Sequence, residues 1–326
     1  MPIRTAVIGV GSLGRQHARL HAALAQEGLS DFACVVDLNE QTAKSVAEER
    51  HVDWKTDWHD IIGKVDAVSL AVPTEVHCEI ACGLLQSGIN VLVEKPIARS
   101  LDEADQMIRA ATSGKTILQV GHLERFNPAL VALRPHVRKP VYFEIHRVGE
   151  FTARSLDIDV VLDLMIHDLD IVQWLVGEDV QVTNIHAVGI PILTSKVDAA
   201  NARLEFASGA VANITASRVG TEKIRKMRFF QPHDYIAVDY TTKRASVSSL
   251  APPTASGTWP GVHIRHLDVI DIEPLRAEIV SFLESVRDGK PPAVSGSDGR
   301  NALSLALRTL DRIREHAEHP GVSEVI

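Results

Sequence analysis

The chain has 326 residues, 45% hydrophobic and 23% charged, a composition that packs a core and excludes collagen-like, disordered and coiled-coil classes. Its 34 Lys and Arg against 42 Asp and Glu give a net charge of −8, a field that disfavours nucleic acid or an anionic membrane as general partner. The length implies about two domains, because single cores seldom grow past ~250–300 residues.

Thr5 to Gly9 is a short apolar run, and Ser12 to Ala25 has helical periodicity. Phe32 to Val36 is the next strand-like run, followed by a polar helical segment from Asn39 to Arg50. Val65 to Val72 is a third run, and His77 to Gln86 reads as a helix ended by Gly88. Val91 to Val93 is a fourth. Ser100 with Glu103 then forms a capping box for another helix, stopped at Gly114, and Ile117 to Val120 closes the series. Near-continuous apolar strands separated by helices predict a parallel sheet covered on both faces, an α/β Rossmann domain over residues 1–121.

Over residues 122–326 the pattern changes. Val141 to Val148, Asn184 to Val188, Ala200 to Phe206, Ala210 to Ala216, Met227 to Phe230 and Tyr235 to Asp239 are successive strand candidates, with a hairpin turn at Ser208-Gly209. Strands without intervening helices predict a mainly antiparallel open sheet in an α+β domain. Helices are expected from Asp159 to Val176, from Pro274 to Arg287 and from about Gly299 to His316, and a surface loop from Leu250 to Gly261. The three cysteines are too few and too scattered for a disulfide scaffold. The N-terminus lacks a signal-peptide pattern, and no apolar run approaches the ~20 residues of a membrane helix. A cytoplasmic protein is expected.

Gly9-Val10-Gly11-Ser12-Leu13-Gly14 matches GxGxxG between a strand and a helix. Gly9 permits the tight turn, Gly11 lets a pyrophosphate approach the backbone, and Gly14 allows the helix to pack closely on the strand. The first helical turn, with Ser12 and Leu13, presents unpaired N–H groups to phosphate. Asp37 ends the second strand, where a carboxylate accepts ribose hydroxyls and repels a 2′-phosphate, and no Arg follows it. NAD is the expected cofactor.

Glu94-Lys95-Pro96 stands at the C-terminal end of the fourth strand, where open α/β sheets bind ligands. Lys95 there is either a surface lysine leaving a strand or a group that shuttles a proton beside a nicotinamide. In the apolar segment Asp159 to Val176, Asp163 and His167 lie four apart, with Asp170 and Trp174 continuing the stripe. A carboxylate beside an imidazole suits either a structural tie or a general acid/base. His77, Cys78 and Cys82 cluster at one helix start, but the cysteines fall on its apolar face, so no metal is expected.

The GVGSLG turn, Val72 to His77 (VPTEVH), Glu94-Lys95-Pro96 and the Asp163/His167 pair together resemble the glucose–fructose oxidoreductase/inositol dehydrogenase/MocA family, and the similarity extends to Glu273 to Gly296. The resemblance implies a Rossmann domain followed by a domain whose open sheet builds a homodimer or homotetramer. It implies Lys95, Asp163 and His167 as the catalytic set, and Pro73, Thr74, His77, Glu94 and Pro96 about the cofactor. The chemistry it implies is oxidation of a secondary alcohol on a sugar, with His167 or Lys95 taking the hydroxyl proton and Asp163 orienting His167.

Gly121 to Pro128 and the basic run Ser217 to Lys226 are similar to the subgroup that oxidises UDP-N-acetylglucosamine, or its uronic acid, at C3. This resemblance makes a nucleotide sugar the expected substrate, with Arg125, Asn127, Arg218 and Lys223 as its contacts. Guanidinium and ammonium groups match pyrophosphate or carboxylate by charge-assisted bonds. The alternatives are a dehydrogenase of a free polyol or monosaccharide, an NAD-dependent glycoside hydrolase, and a non-catalytic NAD-binding redox sensor.

Overall fold

A computed structural model describes residues 2–151, 157–250, 261–319 and 321. The chain forms two compact units, Met1–Leu123 with Glu273–Leu303, and Glu124–Ile272 with Ser304–Ile326.

The first unit carries six parallel strands: β1 (Arg4–Ile8), β2 (Asp31–Val36), β3 (Asp53–Lys55), β4 (Ala67–Leu70), β5 (Asn90–Glu94) and β6 (Leu118–Gly121). Their order, β3-β2-β1-β4-β5-β6, is the doubly wound Rossmann arrangement. The expected runs are all present. The three-residue edge strand β3 (Asp-Trp-Lys) is additional, and only its pairing with β2 defines it. The crossover helices are α1 (Ser12–Gln26), α2 (Glu40–Arg50), α3 (His77–Gln86) and α4 (Leu101–Gly114).

Ser100 caps α4, its hydroxyl accepting from the Glu103 N–H at 3.2 Å. The Glu103 carboxylate turns back to the Arg99 N–H at 3.0 Å rather than to Ser100, a variant of the expected box. The stop also differs from expectation. Lys115, not Gly114, takes the left-handed conformation (φ 55°). Gly114 is required for another reason: a Cβ there would lie 2.1 Å from the Leu85 carbonyl.

The helix α7 (Pro274–Asp288) follows the second sheet in the chain but packs on the first. Leu275, Ile279, Phe282 and Leu283 share a core cluster with Leu20 and Leu24 of α1 and with Ala67 and Leu92 of the sheet.

The second unit is built on an eight-stranded sheet: β7 (Tyr142–Glu150), β8 (Val182–Ile190), β9 (Ala199–Phe206), β10 (Val211–Gly220), β11 (Ile224–Gln231), β12 (Asp234–Asp239), β13 (Arg244–Leu250) and β14 (Val262–His266). The order is β14-β13-β12-β11-β7-β10-β9-β8, antiparallel throughout except for β7 beside β10. Gly209 makes the expected turn between β9 and β10 with φ 84°. One face is buried with period two, as in Ala212, Ile214 and Ala216 of β10. The other face stays half exposed. Strands β13 and β14 were not expected, being Ser-rich and exposed along its length respectively. The expected loop from Leu250 to Gly261 falls on residues 251–260, outside the described residues.

The apolar segment near residue 160 opens with a π-helical turn, Val161–Met165, and continues as α6 (Ile166–Val176), ended by Gly177. Its start is pinned by Asp159, whose carboxylate accepts from the Val197 N–H at 2.9 Å. Also present are α5 (Pro128–Leu133) and α8 (Gly296–Ala317).

Candidate active site

The glycine turn behaves as its spacing predicts. Gly9 has φ 79°, and a Cβ on Gly14 would lie 1.7 Å from the Gly9 carbonyl, so both positions exclude side chains. At Gly11 a Cβ would enter open space, which leaves the backbone exposed to a ligand. The Val10 N–H donates to one Asp37 oxygen at 2.9 Å, and the Asn39 N–H donates to the other at 2.9 Å. The Asp37 carboxylate is thereby held at the rim of a cavity of about 370 Å³, lined also by Gly9, Gly11, Val72 and Pro73. Ser12 opens α1, and Leu13 is exposed. These residues fit a dinucleotide.

Thr74 begins the turn before α3, and His77 begins the helix. The His77 ring is buried, with Nε2 2.9 Å from the Val72 carbonyl and Nδ1 3.1 Å from that of Pro96. It clamps the loop after β4 to the loop after β5. Burial pushes its pKa down, against the pull of those carbonyls. Cys78 and Cys82 are free thiols with Sγ atoms 3.9 Å apart, and burial pushes Cys82 up to about 12. Among the described residues no trio of His, Cys, Asp or Glu is placed to hold a metal.

Lys95 is half-buried at the end of β5, in a cis Lys95–Pro96 peptide. Beneath it lies a buried polar cluster that the motif reading missed. His17 of α1, with no exposed surface, bonds the Glu94 carboxylate at 2.8 Å. Glu278 of α7 is also fully buried, and neither carboxylate oxygen has a hydrogen-bond partner among the described residues. Burial, and then the charge of Glu94, pushes its carboxyl well above the ordinary 4.5. A carboxyl raised on folding contributes stability while protonated, and that contribution is lost as pH climbs from the unfolded value through the folded one. Unfolding free energy should therefore fall as pH rises above the ordinary carboxyl value of 4.5, and Glu278→Gln, fixed neutral, should flatten the fall. Denaturation midpoints against pH check this, and a wild-type protein with a constant midpoint would overturn it.

In the second unit, Asp163 lies in the π-helical turn and His167 in the first turn of α6, both half-buried. The wider turn offsets them from the single α-helical face predicted by their spacing, and such insertions frequently mark functional sites. The residues alternating with them are anchored. Asp168, fully buried, accepts from Arg147 Nε at 2.7 Å and Nη2 at 2.9 Å, while Arg147 Nη1 donates to Glu124 at 2.9 Å. Burial opposes the charge of Arg147, but Asp168 and Glu124 outweigh it and hold the guanidinium protonated. The signal for this pair was present in β7, where Arg147 shares the inward parity of Phe143 and Ile145.

Arg125 is buried, donating to Asp170 through Nε and Nη2 and to Glu178 through Nη1. Asn127 caps α5, accepting from the Ala129 N–H at 3.1 Å and donating to the Tyr240 carbonyl at 3.3 Å. Arg218 is buried, donates to the Ile158 carbonyl and stands 3.7 Å from Asp198. Burial would raise the Asp198 carboxyl, yet the N–H groups of Ile192, Leu193 and Thr194 hold it at about 2. Lys223 is exposed on the turn between β10 and β11. Of the four residues expected to meet substrate, three thus spend side-chain donors inside the fold.

Residues 3–122 match the profile described as the GFO/IDH/MocA oxidoreductase family, NAD-binding Rossmann fold, and residues 103–230 match the family's C-terminal domain. The chain is 38% identical over 307 residues to the UDP-N-acetylglucosamine 3-dehydrogenase of Acidithiobacillus ferrooxidans, covering 94% of this chain and 96% of that protein. A solved structure of that dehydrogenase superimposes with a TM-score of 0.89 at 36% identity, over 97% of this chain and 99% of that one. The chain is also 27% identical to the scyllo-inositol 2-dehydrogenase (NAD(+)) of Bacillus subtilis, over 96% of this chain and 94% of that one.

Proposed function

The chain belongs to the Gfo/Idh/MocA oxidoreductase family, and on that premise we propose that it oxidises C3 of UDP-N-acetylglucosamine, or of a related UDP-sugar, to the 3-keto sugar. It is an NAD-dependent sugar dehydrogenase. The observation that carries the finer reading is the 38% identity to a UDP-N-acetylglucosamine 3-dehydrogenase over 94% of the chain, against 26–27% for relatives named for inositol that cover 96% of it or more, and 31% for one that covers 55%.

Bound NAD would supply the hydride acceptor for the sugar carbon. In this reading the backbone from Gly9 through Ser12 and Leu13 to Gly14 holds the pyrophosphate, and Asp37 takes the ribose hydroxyls. Pro73, Thr74, His77, Glu94 and Pro96 shape the nicotinamide end. Lys95 or His167 receives the hydroxyl proton, and Asp163 orients His167. Lys223 offers its ammonium to the nucleotide. Assembly of a homodimer or homotetramer through the half-exposed sheet face, and a cytoplasmic location, belong to the same proposal. Among the described residues no helix is long and apolar enough to cross a membrane.

NADH formation measured with UDP-N-acetylglucosamine, myo-inositol and glucose tests the substrate. The nucleotide sugar should give the highest kcat/KM, and an equal or higher value for inositol or glucose would sink the assignment. In the same assay Asp37→Ala should narrow the preference for NAD over NADP by about tenfold or more, the loss of one or two charge-assisted hydrogen bonds. An unchanged preference would remove the ribose role of Asp37.

A further inference from the structure

The basic run from Arg218 to Lys226 divides sharply once folded. Arg218 is committed to Ile158 and Asp198, and Lys226 points with Arg228 to the half-exposed face of the sheet, 3.8 Å from Asp239. Arg225 differs from both. Its parity matches Met227, Phe229 and Gln231, all buried, so its side chain emerges on the helix-covered face at the very start of β11.

Arg225 also stands directly opposite Arg147 in the β7–β11 register. Like charges facing across two strands are destabilising unless something compensates. Arg147 is compensated by Asp168 and Glu124, whereas Arg225 reaches only Glu124 Oε1, at 4.0 Å, and that oxygen is already bonded to Arg147. Among the described residues the Arg225 guanidinium donates no side-chain hydrogen bond, and its side chain is 37% exposed. A planar fork of five donors is thus partly desolvated and uncommitted. Burial and the charge of Arg147 hold its pKa below the usual arginine value, while the carboxylates of Glu124, Asp168 and Asp163 pull the other way. Arg147, which faces it across the strands, bonds Asp168, the residue that follows His167 in α6.

We propose that Arg225 is the oxyanion-binding residue of the substrate site, taking the diphosphate or a sugar carboxylate of the nucleotide sugar through bidentate hydrogen bonds. An anion there would also relieve the cross-strand repulsion with Arg147. The inference rests on the reading above that Asp163 belongs to the active site.

Binding to the full chain with NAD present, by calorimetry, separates the outcomes. Wild type, Arg225→Gln and Arg225→Lys are titrated with UDP, UDP-N-acetylglucosamine, its uronic acid and free N-acetylglucosamine. Arg225→Gln should weaken the UDP-sugars by about 10–100-fold and raise KM with little change in kcat, Arg225→Lys should recover part of the loss, and NAD affinity should not move. Arg314→Gln, exposed on α8, serves as the control and should leave all of these unchanged. A loss shared by UDP identifies the diphosphate as the anion, and a loss confined to the uronic acid identifies the carboxylate. Unchanged affinity in Arg225→Gln, or a wild type that binds none of the anionic ligands, overturns the proposal. Arg225-dependent binding of UDP-N-acetylglucosamine without NADH formation would instead overturn the reaction assignment and leave the anion site standing.

Discussion

Replacing His167 or Lys95 with alanine is expected to lower kcat for NADH formation by about 10²–10⁴-fold, the usual contribution of a positioned acid/base group. Neither change touches the glycine turn or the Asp37 carboxylate, whose fixed geometry comes from Val10, Asn39 and close packing on Gly14. NAD binding should therefore persist in both variants. Steady-state kinetics beside an NAD titration make the comparison. Loss of binding together with turnover would make the residues structural, and full activity in both would remove the proposed mechanism. Asp163→Asn should act in the same direction by a smaller factor, because it alters the orientation of a partner rather than the group that takes the proton.

Arg147→Met is expected to destabilise the second unit by about 3–5 kcal/mol, the cost of leaving a buried carboxylate unpaired. Asp168 has no exposed surface and both its oxygens accept from Arg147, so the variant strands a desolvated charge with Glu124 beside it. Adding Asp168→Leu should recover much of the loss, since replacing both partners by apolar groups removes the desolvation penalty with the attraction. Urea unfolding of the single and double variants measures the effect. A single variant within about 0.5 kcal/mol of wild type, the range of ordinary surface changes, would show that the pair contributes little.

The Rossmann half was legible because its signals are local. A glycine turn, a strand before it, a helix after it and an acidic residue at the next strand end all fall within about thirty residues and answer to one short-range geometry. The short polar strands at the sheet margins were not legible. Asp53–Lys55 has three residues, and Val262–His266 is exposed throughout, so neither carries a burial pattern, and pairing with a neighbour is what defines them. The helix from Asp159 was legible as an apolar segment. Its opening π-helical turn was not, since apolar periodicity does not distinguish one inserted residue from a shift of face.

The site divides in the same way. Gly9 and Gly14 make the turn and the close packing their spacing predicts, and Asp37 stands beside that turn. Arg125 and Arg218, read as candidate substrate contacts, are engaged by Asp170 and by the Ile158 carbonyl, 45 and 60 residues away. Sequence alone determined the order of the elements, the nucleotide turn and the acidic balance of the chain, because each depends on neighbours a few positions apart or on composition. Only the tertiary structure decided which cations are spent inside the fold, that α7 returns to the first sheet, and that Arg225 faces Arg147 across two strands. Those outcomes depend on which distant groups share a desolvated space, where a charge must find a partner or bear the cost of having none.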